Sequence, residues 1–286
     1  MTVPTTKADF DKEVTAGERF EFGNNWARFL LRLNDKRIEE AKISLKNMLA
    51  VNDLRGRSFL DIGCGSGLFS LAAAQLAAKS IHSFDYDTKS VACSMELKRR
   101  FFPEMETWSI KQASILDEPY LEKLGRFDVV YSWGVLHHTG QMWKALENTA
   151  SLVKPGGKLF IVIYNDQGVS SRIWLWIKRL YNRLPSVLRF LVVYPSFFYL
   201  WTPIFVRDLL KGKPGETWTG YMQDRGMSPW DDTIDWVGGY PFEVTSPGEI
   251  FTFFHKRGFS LQNMKTTHNL GCNEFVFQFE IPHDLH

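Results

Sequence analysis

Phe59-Leu60-Asp61-Ile62-Gly63-Cys64-Gly65-Ser66-Gly67-Leu68 is the stretch that decides the fold. An apolar run ends in an acid, three glycines follow at alternate positions, and a helix-forming segment begins. Glycine lets the chain turn tightly and keeps a Cβ out of a ligand's path. The N–H groups of such a turn are expected to face the ligand. The spacing is not the dinucleotide fingerprint Gly-x-Gly-x-x-Gly, and the acid ahead of the first glycine also differs from it. About 20 residues further on, Phe84-Asp85-Tyr86-Asp87 closes a second apolar run. A carboxylate at that point can accept both hydroxyls of a ribose, and Asp85 is preferred to Asp87 because it sits directly at the strand end.

Outward from this stretch the pattern alternates. Strands are expected at 58–62, 80–84, 107–111, 127–132 and 158–164, with helices at 68–78, 88–102 and 142–152. Strands alternating with helical segments mean βαβ units and a parallel sheet covered on both faces. Upstream, Trp26, Phe29, Leu30, Leu33, Ala41, Leu45 and Met48 fall at helical spacing within 25–49. Downstream, Ser246-Pro247-Gly248-Glu249 carries the signature of a capping box with proline in the first turn. That helix should end near Gly258, followed by strands at 259–267 and 273–279. The chain therefore divides into an N-terminal helical segment (1–54), a Rossmann-like core (55–165), an insertion or lid (166–245) and a closing helix with C-terminal strands (246–286). An insertion of about 80 residues is far longer than an ordinary connection.

The glycine stretch and Asp85 resemble motif I and the acidic second-strand motif of class I S-adenosylmethionine-dependent methyltransferases. Two further elements agree in order: Phe127-Asp128-Val129-Val130-Tyr131-Ser132-Trp133, and the turn Lys154-Pro155-Gly156-Gly157. The resemblance implies an α/β fold with a Rossmann-like seven-stranded sheet, S-adenosylmethionine as cofactor and S-adenosylhomocysteine as product. It implies that Asp61, Gly63, Cys64, Gly65 and Gly67 hold the methionine portion and that Asp85, with Tyr86 beside it, holds the ribose. Ser114 and Ile115 are placed at the adenine, with serine where the family more commonly has aspartate. Backbone at Ser132 or Trp133 is placed at the cofactor's amino end. In the cofactor half the chain is also similar to ubiquinone-biosynthesis O-methyltransferases, but the insertion does not match theirs.

Methyl transfer from a sulfonium needs mainly alignment of the acceptor, and a base only when the acceptor must lose a proton. His137 and His138 follow the fourth strand at the sheet edge where ligands bind. Histidine's ordinary pKa suits a base at neutral pH, so His138, with His137 beside it, is the candidate catalytic residue. Tyr164 and Asn165 end the fifth strand at the same edge, and Trp236 and Tyr240 belong to a segment with a Gly-Gly pair that could close over substrate. These four are the candidate acceptor-binding residues. Asp231, Asp232, Asp235 and Glu243 have no spacing that demands a metal, and none is expected. Arg19 to Trp26 could fold over the cofactor, with Trp26 itself read as helix packing.

The chain has 286 residues, 44% hydrophobic and 23% charged, with a net charge of +2, enough apolar content for a full core and too balanced to imply nucleic acid by itself. Three unpaired cysteines fit a reducing cytoplasm, and the polar N-terminus has no apolar signal core. Residues 190–206 are uncharged but contain Pro195 and Pro203 and fall short of the roughly 20 apolar residues of a spanning helix. Between Arg172 and Lys213 stand eight Lys/Arg and one acid, interleaved with aromatics. Such a segment can be a lid whose arginines reach water, a peripheral membrane contact, or an RNA-gripping surface. The leading expectation is an enzyme that methylates a small, lipophilic acceptor, with oxygen favoured over sulfur or nitrogen. An RNA or protein methyltransferase and a non-catalytic cofactor-binding partner are the alternatives; the fourth strand lacks the Asn/Asp-Pro-Pro-Tyr motif typical of amide and exocyclic-amine methylation.

Overall fold

Seven strands build one sheet: β1 (Ser58–Ile62), β2 (Ser80–Asp85), β3 (Trp108–Gln112), β4 (Phe127–Trp133), β5 (Val153–Tyr164), β6 (Phe259–Lys265) and β7 (Cys272–Phe279). Their order is β3-β2-β1-β4-β5-β7-β6. The first five are parallel, and β7 inserts antiparallel between β5 and β6. The computed structural model describes residues 6–219, 228–268 and 270–280, so residues 1–5 of the polar N-terminal stretch lie outside it.

A parallel strand covered on both faces must be apolar on both faces. β1 shows why: Phe59 packs with Leu45, Leu71 and Phe160 on one side, while Leu60 and Ile62 pack with Leu146, Phe254 and Phe277 on the other. The first layer is covered by α3 (Asp35–Leu49), α4 (Leu68–Gln75) and α5 (Thr88–Phe101). The second is covered by α6 (Glu118–Leu124), α7 (Met142–Ser151) and α11 (Pro247–His255). Ser246 caps α11 through the backbone N–H of Glu249, and the Glu249 carboxylate returns to the Ser246 N–H. Such a cap contributes about 1 kcal/mol. Two short helices, α1 (Lys7–Thr15) and α2 (Gly23–Leu30), precede α3.

The sequence pattern missed α1 and α6, which are too short and too polar to show a period. It also started β5 too late: the strand begins at Val153, and the left-handed Gly156 with a register shift opposite Phe127/Val129 carries it through the Pro-Gly-Gly turn.

The insertion is helical, comprising α8 (Val169–Arg183), α9 (Phe190–Leu210) and α10 (Pro229–Gly238) around the buried side chains of Trp174, Tyr181, Val192, Val193, Val237 and Phe242. The expected basic amphipathic segment is thus two helices of different character. α8 carries Arg172, Lys178, Arg179 and Arg183, of which only Lys178 is buried, and α9 is uncharged from Phe190 to Val206. Both prolines expected to interrupt the apolar stretch lie inside α9. Ser186–Leu210 is, among the described residues, long and apolar enough to cross a membrane, with 22% of its most apolar window buried.

Candidate functional site

Strand order reverses at β1/β4, and the crevice beyond the carboxyl ends of those strands is where ligands bind in such sheets. A cavity of about 1260 Å³ opens there, lined by Asp61 to Ser66, Asp85 to Asp87, Ala113 to Leu116 and Trp133 to Val135 from the core. Ligand pockets usually measure roughly 300–1,000 Å³, so this one has room for a nucleoside-sized cofactor and an acceptor together.

The glycine turn is held by β2. Gly63 and Cys64 donate their N–H groups to the Phe84 carbonyl at 2.8 and 3.0 Å, and Gly65 donates to Asp85 Oδ2 at 2.9 Å. Gly67 donates to the Cys64 carbonyl at 2.8 Å. All three glycines have positive φ (70°, 53° and 81°), which an L side chain rarely adopts. The expectation that these N–H groups point at a ligand is therefore corrected for Gly63, Cys64, Gly65 and Gly67: they are spent inside the protein. A pyrophosphate needs such donors free, so the turn does not suit a dinucleotide. Gly67 does not line the cavity either; it gives room to Ser94 of α5, whose Oγ would stand 2.8 Å from a Cβ there.

Asp85 faces the cavity. Its two oxygens accept from the Gly65 and Asp87 N–H groups and keep lone pairs for further donors. Asp87 is instead the N-cap of α5 and accepts from Gly23 N–H at 2.7 Å and Lys89 N–H at 2.8 Å. Burial raises the carboxyl of Asp85 to about 7. Burial also raises Asp61 to about 7, against a hydrogen bond from the Ser70 hydroxyl and with the Asp85 charge adding to the rise. Tyr86 and Tyr131 line the cavity, and their hydroxyls are buried with no partner among the described residues. Glycine backbone, an accepting carboxylate and two orphaned hydroxyls fit a nucleoside cofactor with hydroxyls and polar ends.

Other predicted cofactor contacts divide. Ser114 and Ile115 line the cavity, although the Ser114 Oγ accepts from Leu116 N–H at 3.1 Å and the Ile115 carbonyl is taken by Asn148 at 2.9 Å. Trp133 lines it as well, 47% exposed. Ser132 does not: it is wholly buried, and its hydroxyl bridges from β4 to the Ile62 carbonyl at 3.1 Å.

On the acceptor side, Tyr164, Trp236 and Tyr240 line the cavity. Asn165 does not; it braces β5 to the β6–β7 hairpin, donating to the Thr267 carbonyl and accepting from Asn273, each at 3.0 Å. His137 and His138 line the cavity but are buried. Tyr164 N–H donates to His137 Nδ1 at 3.2 Å, and the two rings lie 3.9 Å apart. His138 Nδ1 lies 2.5 Å from the Pro241 carbonyl, so that nitrogen carries the proton. Burial lowers His138 to about 3 and His137 well below its ordinary value. Both imidazoles are neutral at physiological pH, and protonating either is costly.

Sequence reasoning undervalued two groups. One is the strap 19–26, of which Arg19, Phe20, Phe22 and Trp26 line the cavity. Arg19 donates to the His138 carbonyl at 2.9 Å and lies 5.0 Å over the Tyr86 ring, and Phe20 N–H donates to the Tyr240 carbonyl at 2.9 Å. Trp26 is not merely helix packing: its ring lies against Gly65, where a Cβ would stand 2.9 Å from it. The other is Asp235, which lines the cavity, is held by the Asn25 side-chain amide, and is raised to about 8, first by burial and then by Asp232. No periodic signal marks either. The remaining acids of that segment serve structure: Asp231 closes the N-terminus of α10, and Glu243 accepts from Met142 N–H at the start of α7. Among the described residues no three potential metal ligands cluster.

Comparison with known proteins agrees with this geometry. Residues 24–194 match a family model described as a methyltransferase domain. A tRNA U34 carboxymethyltransferase of Azotobacter vinelandii is 34% identical over 119 residues, 41% of this chain and 36% of that protein. One from Campylobacter curvus is 27% identical over 143 residues, 49% of this chain and 46% of that protein. The chain thus spans less than half the length of the curated relatives it matches. The fold superposes on magnesium protoporphyrin IX methyltransferase from Synechocystis PCC 6803 with bound SAH, at a TM-score of 0.54 and 15% identity over 94% of this chain and 99% of that one. Sheet, cavity and family match converge: the chain belongs to the methyltransferase-domain family and has the fold of class I S-adenosylmethionine-dependent methyltransferases.

Proposed function

We propose that this methyltransferase acts on a small, lipophilic acceptor and transfers the methyl group to oxygen. One observation carries the reading: the insertion contributes an apolar and aromatic part of the cavity wall, with Leu200, Trp201 and Ile204 of α9 lining it together with Tyr164, Trp236 and Tyr240. Such a wall binds by apolar burial, which favours a molecule that can be enclosed.

S-adenosylmethionine, when bound, supplies a methyl group on a sulfonium, a leaving group that needs no activation. Asp85 would accept the ribose hydroxyls, Ser114 and Ile115 would flank the base, and the glycine turn under Trp26 would shape the methionine end. The protein's main contribution is alignment in a cavity that strap and lid help to line. An acceptor hydroxyl aligned in this site would have to give up its proton to a base of the protein. His138 was the expected base, but with its pKa held near 3 it serves better as a fixed neutral dipole. We assign the proton to Asp235, whose raised pKa of about 8 is closer to that of a phenol. No disulfide joins Cys64, Cys93 or Cys272, so a reducing cytoplasm belongs to this reading.

A second reading, methylation of RNA, is favoured by the names of the curated relatives and by exposed arginines on α8. Incubation with methyl-labelled cofactor and whole-cell extract separates the two. Label in the lipid or small-molecule fraction is expected; label in RNA or protein would replace the small-acceptor reading.

A further inference from the structure

We infer that α8 and α9 form a docking surface for an anionic lipid bilayer, with α9 lying in the membrane interface rather than crossing it. α9 is two-faced. Val193, Ser196, Leu200, Ile204 and Asp208 recur at helical spacing on the side turned into the protein, where Leu200 and Ile204 line the cavity. Leu191, Phe198, Thr202, Phe205 and Leu209 lie on the opposite side. Phe198 is 61% exposed, and Phe205 and Leu209 are each 55% exposed. This outward face extends along a helix of 21 residues, about 30 Å long. Soluble monomers seldom leave so long an apolar face in water.

The charges next to that face choose its occupant. Tyr199 packs 6.1 Å from Trp174 and sets α8 beside α9. The exposed side of α8 presents Arg172, Trp176 and Arg179 at helical spacing, and Lys211 stands just past the end of α9. No described carboxylate lies within 4.0 Å of these three cations. An apolar face on α9 with Lys211 at its end, beside a helix that exposes Arg172, Trp176 and Arg179 and gives these cations no carboxylate partner among the described residues, matches an acyl boundary beneath anionic headgroups. A second copy of the chain would bring the same cations against themselves. Spanning is opposed by the inner face: Trp201 donates to Thr233 of α10 at 3.2 Å, and buried Asp208 accepts from Thr217. A helix committed to those contacts can offer lipid only its other side. On the reading that the acceptor is lipophilic, the same helix would bring the cavity up to the bilayer that holds it.

The test is co-sedimentation of the full chain, without acceptor, with phosphatidylcholine vesicles containing or lacking phosphatidylglycerol. Binding to the anionic vesicles, falling with salt, is expected. Phe198→Asp/Phe205→Asp should weaken it by at least about tenfold, and Arg172→Glu/Arg179→Glu should remove the preference for phosphatidylglycerol. Retained S-adenosylhomocysteine binding shows that each variant is folded. Absence of vesicle binding, or binding unchanged in the phenylalanine variant, overturns the inference. So does a dimer that the phenylalanine variant dissociates in the absence of vesicle binding. Because no acceptor is present, this outcome is independent of the extract labelling that tests the acceptor class.

Discussion

Two carboxyl groups carry most of what single residues can be asked. Asp85 has to be ionised to accept both ribose hydroxyls, yet burial holds it near 7 in the free protein. Cofactor binding should therefore release a proton, and affinity should weaken by about tenfold from pH 8 to pH 6 when measured by calorimetry. Asp85→Ala should cost about 1.5–3 kcal/mol of binding, the range for hydrogen bonds to a charged group; unchanged affinity would remove the ribose assignment. Asp235 makes a different prediction. As base it must be deprotonated, so turnover should rise with pH through about 8, and Asp235→Asn should lower turnover and abolish that limb. If His138 were the base, its limb would lie near 3 and the profile would be flat above pH 6. The stability sign follows from the same shift. Between the ordinary carboxyl value of 3.8 and about 8 the folded chain holds a proton at Asp235 that the unfolded chain has lost. Its contribution is thus full below 3.8 and lost by about 8, so Asp235→Asn should gain on the parent protein from pH 5 to pH 9 in denaturant titrations.

Among the elements, the joint between strap and lid shows what a glycine pair can stand for. The sequence reads Gly238-Gly239 as a flexible pair in a segment that could close over substrate. Both instead mark close approach: a Cβ on Gly238 would stand 2.2 Å from Phe20, and one on Gly239 3.0 Å from His138. Gly238→Ala should push Phe20 out and loosen the strap. Its readout is faster dissociation of S-adenosylhomocysteine in stopped flow, with partial recovery on adding Phe20→Ala. No change in dissociation would mean that the strap does not retain the cofactor.

For the whole molecule, the sheet is a rigid platform and the closing parts are added to it. β1, β4, β5 and β7 are largely buried with a neighbouring strand on each side, whereas strap and lid meet through a few hydrogen bonds and ring contacts. Cofactor binding should therefore slow amide exchange chiefly in 19–26 and 236–243, leaving β5 and β7 as protected as before. Equal protection everywhere would indicate global stabilisation alone.

The sequence by itself determined the sheet and the position of the cofactor cleft. Local causes sufficed there: apolar runs of strand length, glycines where φ is positive, and an acid at the end of β2 all act within a few residues. The capping box at Ser246 was legible for the same reason. Only the tertiary structure decided which polar groups were free. Ser132 and Asn165 have the right chemistry and the right strand ends, but partners at Ile62, Thr267 and Asn273 consume them. His138 has an ordinary base's side chain, and burial first, with the Lys178 charge adding to it, took its proton affinity away against the hydrogen bond to the Pro241 carbonyl. Asp235 gained its altered proton affinity by being folded under the strap, and α9 shows an inner and an outer face only because α10 and the cavity occupy one side of it. Burial and long-range pairing set those properties, and neither has a signature in a window of neighbouring residues.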